Sequence, residues 1–211
     1  MILKNDLIKV IDSTSEYKTF LGKYYGQKRY FRLYNNNSFK LYTLKNKLLI
    51  EGELSDSSYR YIKNGNWTYY DIKGKLAIKG SFINDSPINQ WTYYYKNGKE
   101  LKKEFYILTN RDTIINDTLQ VYFIDHSARS GEYYEYYKTG QKKIEGQYKI
   151  QPGYCYSFIK NLNSKEEKPS FVVGKISMKD GKWTEFKKNG EIKDLRVIVT
   201  GGLHYDYEKQ P

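Results

Sequence analysis

The sequence predicts an all-β protein: an elongated antiparallel sheet of consecutive β-hairpin repeats, led by a short N-terminal helix or irregular segment. Three observations predict it. From Tyr24 onward, short aromatic and β-branched runs are cut by Asn, Gly and Lys, as strands are cut by turns. Apolar residues make up 39% of the 211 positions and aromatics alone 17%, which suits half-buried sheet faces better than a thick aliphatic interior. One cassette, clearest in Trp91–Glu104, recurs about five times.

Residues 1–21 stand apart. Leu7, Ile8, Val10, Ile11, Tyr17, Phe20 and Leu21 can share one helical face, and Ile8-Lys9-Val10 also alternates as a strand would; the reading leans to a helix or irregular lead-in. A degenerate first copy follows: Phe39, Tyr42, Asn46, Leu48, Gly52 and Leu54. The second runs Gly65, Trp67, Tyr70, Gly74, Ile78, Gly80, Phe82. The third runs Trp91, Tyr94, Asn97-Gly98, Leu101, Glu104, Tyr106. The fourth is Gly131, Tyr133, Tyr136, Gly140, Ile144, Gly146, Tyr148, and the fifth Gly181, Trp183, Phe186, Asn189-Gly190, Ile192, Ile198.

Each copy reads as a hairpin, with Asn-Gly supplying the positive φ angles of a tight turn. The glycine two residues before the leading aromatic lets the chain enter the next unit. Aromatics three residues apart, such as Trp67 and Tyr70, fall on opposite faces of a regular strand, or on one face if a bulge intervenes.

Copies start at 39, 67, 91, 133 and 183, spacings of 28, 24, 42 and 50 residues. Two insertions, 108–130 and 151–178, therefore interrupt a hairpin-repeat domain spanning 22–207. The first contains one further strand over Asp117–Ile124. The second contains the polar run Asn161–Pro169, expected as a loop or disordered segment. The tail Leu195–Tyr207 is expected to add a closing strand.

The pattern Gly-x-Trp-x-x-Tyr-x-x-x-Gly-x-x-x-x-x-Gly-x-Tyr, repeated in phase, resembles the bacterial variant of the MORN repeat. The resemblance is clearest over Gly65–Tyr106, good over Gly131–Tyr148 and Gly181–Ile198, and absent from the insertions. It implies stacked hairpins in an extended sheet. It also implies a non-enzymatic role of the antitoxin or immunity type, neutralising a partner toxin by binding. Eukaryotic relatives of the repeat imply scaffolding and anionic lipid as further options.

Chemistry-bearing residues are few. His126 and His204 with the lone Cys155 supply no metal cluster and no disulfide framework. Asp125-His126-Ser127 lacks the spacing of a nucleophile elbow. Asp112, Asp117 and Asp125 lack that of a calcium loop, and no Gly-rich phosphate loop precedes a helix. No catalytic, cofactor or metal site is expected. The net charge of +12 favours an anionic partner or a solvated lysine coat.

The candidate partner-binding residues are Tyr69, Tyr93, Tyr95, Lys102, Lys103, Tyr134, Tyr137, Lys142 and Lys143, in aromatic and basic positions that would line up in rows across stacked hairpins. The expected partner is a protein, an acidic toxin. Anionic lipid or nucleic acid is the alternative, through Lys and Tyr rows, and exposed end strands permit an edge-strand homodimer. The sequence begins with no apolar leader run, and a cytoplasmic location is expected.

Overall fold

The structure, a computed structural model, describes residues 2–3, 7–56, 60–115, 118–160 and 167–199, with side chains over 7–55, 60–109, 127–151 and 177–199. Every regular element among them is a strand. In chain order these are β1 Ile2–Leu3, β2 Leu7–Ser13, β3 Tyr17–Tyr24, β4 Gln27–Tyr34, β5 Ser38–Tyr42, β6 Leu48–Asp56 and β7 Arg60–Tyr70. There follow β8 Leu76–Ile83, β9 Ser86–Tyr94, β10 Glu100–Ile115, β11 Thr118–Tyr136, β12 Lys142–Lys160, β13 Glu167–Phe186 and β14 Ile192–Ile198.

From β2 to β14 each strand pairs with the next, antiparallel, in one open sheet, and β1 adds to the start of β7. The expected N-terminal helix is corrected. Leu7, Ile8, Val10 and Ile11 lie in β2, paired with β3 from Leu7↔Gly22 to Ser13↔Lys18. Thr14 closes the intervening turn, its Oγ1 accepting from the Tyr17 amide at 3.2 Å. In a β-branched run, extended pairing outweighs a weak helical stripe.

The insertions are prolonged strands rather than separate units. Residues Tyr106–Ile115 of β10 pair with Thr118–Arg129 of β11. Residues Gln151–Lys160 of β12 pair with Glu167–Ile176 of β13. Of the expected loop Asn161–Pro169, the last three residues belong to β13; 161–166 lie outside the described residues, as does the tail from 200 on. Beyond the array the two long hairpins change neighbours: β11 meets β12 over Gly131–Tyr136, whereas farther out β10 meets β13, from Arg111↔Gly174 to Ile115↔Ser170.

Each copy positions its aromatic the same way. The residue two before it has positive φ: Asn37, Gly65, Asn89, Gly131 and Gly181. From the second copy on, this residue falls at a break in the ladder to the preceding strand, so the chain kinks there as bulges do. The next tryptophan then lies flat over a glycine of the strand before it. A Cβ on Gly52 would stand 2.3 Å from Trp67, on Gly80 2.2 Å from Trp91, and on Gly146 2.3 Å from Trp183. The glycine is an empty seat and the indole fills it.

The buried cluster Phe31, Phe39, Leu41, Ile50, Leu54 and Trp67 starts this inner face, and Trp91, Tyr133 and Trp183 continue it. The aromatics three residues further on face outward. Trp67 contacts Tyr69, ring centroids 6.2 Å apart, while Tyr70 reaches Glu51. Both faces therefore carry aromatics. No bulge separates the two aromatics of a copy; within each hairpin the irregularity lies on the return strand, where Leu49, Ala77, Leu101, Lys143 and Lys193 are unpaired in the ladder.

Candidate functional site

Five hairpin turns share one end of the sheet: 43–47, 71–75, 95–99, 137–141 and 187–191. In each, the fourth residue donates its amide to the first residue's carbonyl, and the first residue's amide bonds the fifth's carbonyl. Only the fourth residue has positive φ: Asn46, Gly74, Gly98, Gly140 and Gly190. These are type I turns followed by a left-handed residue, rather than the two-residue turns with two positive φ angles that Asn-Gly suggests. The Asn of Asn-Gly works through its side chain: Asn97 Oδ1 accepts from the Lys99 amide and Asn189 Oδ1 from the Glu191 amide, both at 3.1 Å.

From 71–75 on, each turn is tied to the next. Lys75 Nζ donates to the Lys96 carbonyl at 2.9 Å. Tyr95 Oη donates to the Tyr136 carbonyl at 2.8 Å, Asn97 Nδ2 to Lys138 at 3.0 Å and Lys99 Nζ to Thr139 at 2.5 Å. Tyr137 Oη donates to the Phe186 carbonyl at 2.8 Å. Successive turns, two strands apart, step by about 10 Å. They form a continuous ridge.

That ridge gathers much of the charge. Its 25 residues hold nine lysines against two carboxylates, Asp71 and Glu191, in a chain of net charge +12. Lys45, Lys47, Lys73, Lys96, Lys138 and Lys188 are exposed. Three neighbouring tips also present a large apolar group to solvent: Tyr25, in the adjoining Tyr25-Gly26 turn, is 89% exposed, Leu44 49% and Ile72 72%. Tyr25 leans edge-on against Tyr24, ring centroids 4.6 Å apart, yet all three side chains stay open to solvent among lysines.

The nine residues expected to bind a partner do not form one patch. Tyr95 and Tyr137 are the turn ties just described. Tyr69 packs on the inner face between Trp67 and Trp91. Lys103, Tyr134 and Lys142 lie outward; Lys103 pairs with Glu100 and Lys142 with Glu145, each at 2.8 Å, and Lys142 lies over the Tyr134 ring. Lys143 pairs with Glu135 at 3.2 Å, which also accepts from Tyr133 Oη.

Tyr93 and Lys102 meet at a site the sequence reading missed. Glu104 pairs in register with both Trp91 and Tyr133, so it occupies the seat that is glycine in Gly52, Gly80 and Gly146. Its side chain is 2% exposed. Oε1 accepts from Tyr93 Oη at 2.8 Å and from Lys102 Nζ and Tyr106 Oη at 3.0 Å; Arg129 Nε stands 3.7 Å from Oε2. Burial opposes the carboxylate charge, but the Tyr93 and Lys102 hydrogen bonds and the Lys102 charge prevail, and its pKa is lowered. The same burial, with Glu104 beside it, pushes Tyr106 up to about 12. A filled seat leaves no room for an indole, and the next aromatic is Tyr133.

Of the other sequence candidates, Ser127 lies in β11 with its hydroxyl buried and unbonded. The side chains of Asp112, Asp125, His126 and Cys155, and all of Asp117 and His204, lie outside the described residues. Among the described residues no group of three or more His, Cys, Asp or Glu could hold a metal ion, and no helix is long and apolar enough to cross a membrane.

The apolar tips had a signal in the sequence. Leu44 stands between Thr43 and Lys45, and Ile72 between Asp71 and Lys73, at positions where a turn needs no hydrophobe. Compared with known proteins, the chain matches no family model and no curated protein.

Proposed function

We propose that the protein is a non-enzymatic docking scaffold that attaches to an anionic lipid surface through its turn ridge. The observation that carries this reading is the combination at one end of the sheet: exposed lysines in every turn, and exposed Tyr25, Leu44 and Ile72 at three adjacent tips. Lysines near an anionic leaflet contribute about 1 kcal/mol each, and apolar tips add burial in the headgroup region. A purely electrostatic contact has no use for the apolar tips.

Co-sedimentation with phosphatidylcholine vesicles, with and without phosphatidylserine, tests it. Binding is expected only with phosphatidylserine and is expected to weaken with salt. Lys45→Glu and Lys73→Glu should each reduce it by about fivefold or more. Ile72→Asp should weaken binding while leaving the lysines in place. Vesicle binding indifferent to Leu44 and Ile72, or matched by equal binding to an oligonucleotide, would remove the lipid reading.

A second reading, a protein partner, is favoured by the half-buried outward tyrosines Tyr42, Tyr70, Tyr94 and Tyr136, since tyrosine offers contact area at low entropic cost. With the MORN-variant resemblance it supports an antitoxin or immunity role against an acidic toxin. Co-expression with the product of the neighbouring gene tests it: absence of both a stable complex and rescue from toxicity would reject it.

A further inference from the structure

We propose that β14 is the self-association edge of this protein, pairing antiparallel with β14 of a second copy about a two-fold axis at Leu195. Among the described residues, β14 is paired on one side only, with β13. Its side chains are open to solvent: Leu195 is 50% exposed and Val197 71%. An edge strand with free backbone groups and exposed β-branched residues is a template for another strand.

The order of residues in β14 selects the partner. Antiparallel pairing centred on Leu195 sets Asp194 of each copy opposite Arg196 of the other, twice. Leu195 then meets Leu195, and the regular register ends on either side at the Lys193 bulge. Within one copy Arg196 Nε already bonds Asp194 Oδ2 at 2.8 Å on an exposed face; across the axis these four groups become a closed square of alternating charge. Opposite charges directly across a ladder stabilise it, and an isologous contact requires this self-complementarity.

The other end of the sheet is different. The ladder of β2 to β3 is broken twice, between Leu7 and Lys9 and between Val10 and Asp12, and such irregularities blunt an edge. From Asp194 to Ile198 the ladder of β14 is unbroken.

Sedimentation equilibrium of the full chain over a range of concentrations is the test. A monomer–dimer equilibrium is expected. Asp194→Arg and Arg196→Asp should each raise the dimer dissociation constant about tenfold or more, and the double exchange should restore it. A monomer at all concentrations, single variants indistinguishable from the parent, or growth beyond the dimer would each overturn the proposal. A second measurement does not depend on charge. With Cys155→Ser, Leu195→Cys should give a disulfide-linked dimer on mild oxidation, because the axis places the two positions face to face within disulfide reach. Val199→Cys should not; equal cross-linking of both, or of neither, would overturn the register.

Discussion

At the scale of the residue, two kinds of glycine do different work. Gly80 is a seat: a Cβ there would stand 2.2 Å from Trp91, and a buried indole cannot yield as a flexible side chain would. Gly98 is a turn residue, φ +84°, with open space where its Cβ would be. Gly80→Ala is expected to cost about 3 kcal/mol, the overpacking range. Gly98→Ala should cost about 1 kcal/mol, the strain of a left-handed residue. Urea midpoints of the two variants check the order, and equal losses would contradict the seat.

Glu104 is the residue-scale exception. Its folded pKa lies below its ordinary value of 4.5, so the stabilisation it contributes is present above that value and lost as pH falls through the folded pKa. Glu104→Gln should cost about 2 kcal/mol at neutral pH. The gap to the parent should close on acidification below pH 4.5, measured as urea midpoints across pH; a constant gap would show that the charge is not responsible.

At the scale of the element, the hairpins were legible because their signals are local. The aromatic and the turn glycine sit at fixed offsets. The glycine expected to turn the chain into the next unit is instead a positive-φ residue, Asn in two copies, and from the second copy on it kinks the inside of a strand. What was not legible depends on neighbours. Asn97 does not adopt the positive φ that its dipeptide suggests, because the three-residue loop needs it only at Gly98. The stretch around Leu7–Ile11 reads as either helix or strand until β3 offers a partner. The insertions read as separate strands because sequence spacing does not distinguish a longer hairpin from an added one. Tyr95 and Tyr137, exposed candidates in one dimension, are turn ties once the next copy is in place. Glu104 was visible in the aligned copies, but its meaning required knowing that the aligned glycines are seats.

The seat also makes a prediction about whole hairpins. Removing the 24 residues 67–90 places Trp91 two residues after Gly65 and over Gly52. This shortened chain should fold, with a smaller denaturant dependence in proportion to the lost surface. Removing 25 residues, 67–91, deletes the tryptophan and reverses every inward and outward side chain that follows, since a one-residue slip exchanges the faces. That variant should not unfold cooperatively. Urea titrations of the pair decide the matter.

At the scale of the whole molecule, stability is distributed along the array, each hairpin leaning on its neighbours, while charge is concentrated on the turn ridge. The ridge would sense an anionic surface, and its attachment should fall with ionic strength as the Debye length shortens. The sheet edge at β14 is independent of it, so lipid binding and dimer formation should respond to different substitutions. The ridge was only half visible in the sequence. In the sequence its lysines merge into a general solvated coat, because which positions gather at one end is a property of the meander.

The one-way seating of tryptophan on the preceding glycine has a genealogical side. A duplication that carries Trp67–Gln90 brings a tenant for the seat behind it and, in Gly80, a vacancy for whatever comes next. Such an array can lengthen by inheritance of whole units with nothing repacked. Glu104 fills its seat, and the array continues past it only with a smaller aromatic, Tyr133; Arg196, aligned with Trp183, fills its seat as well. Behind either residue a copied tryptophan unit would have to repack.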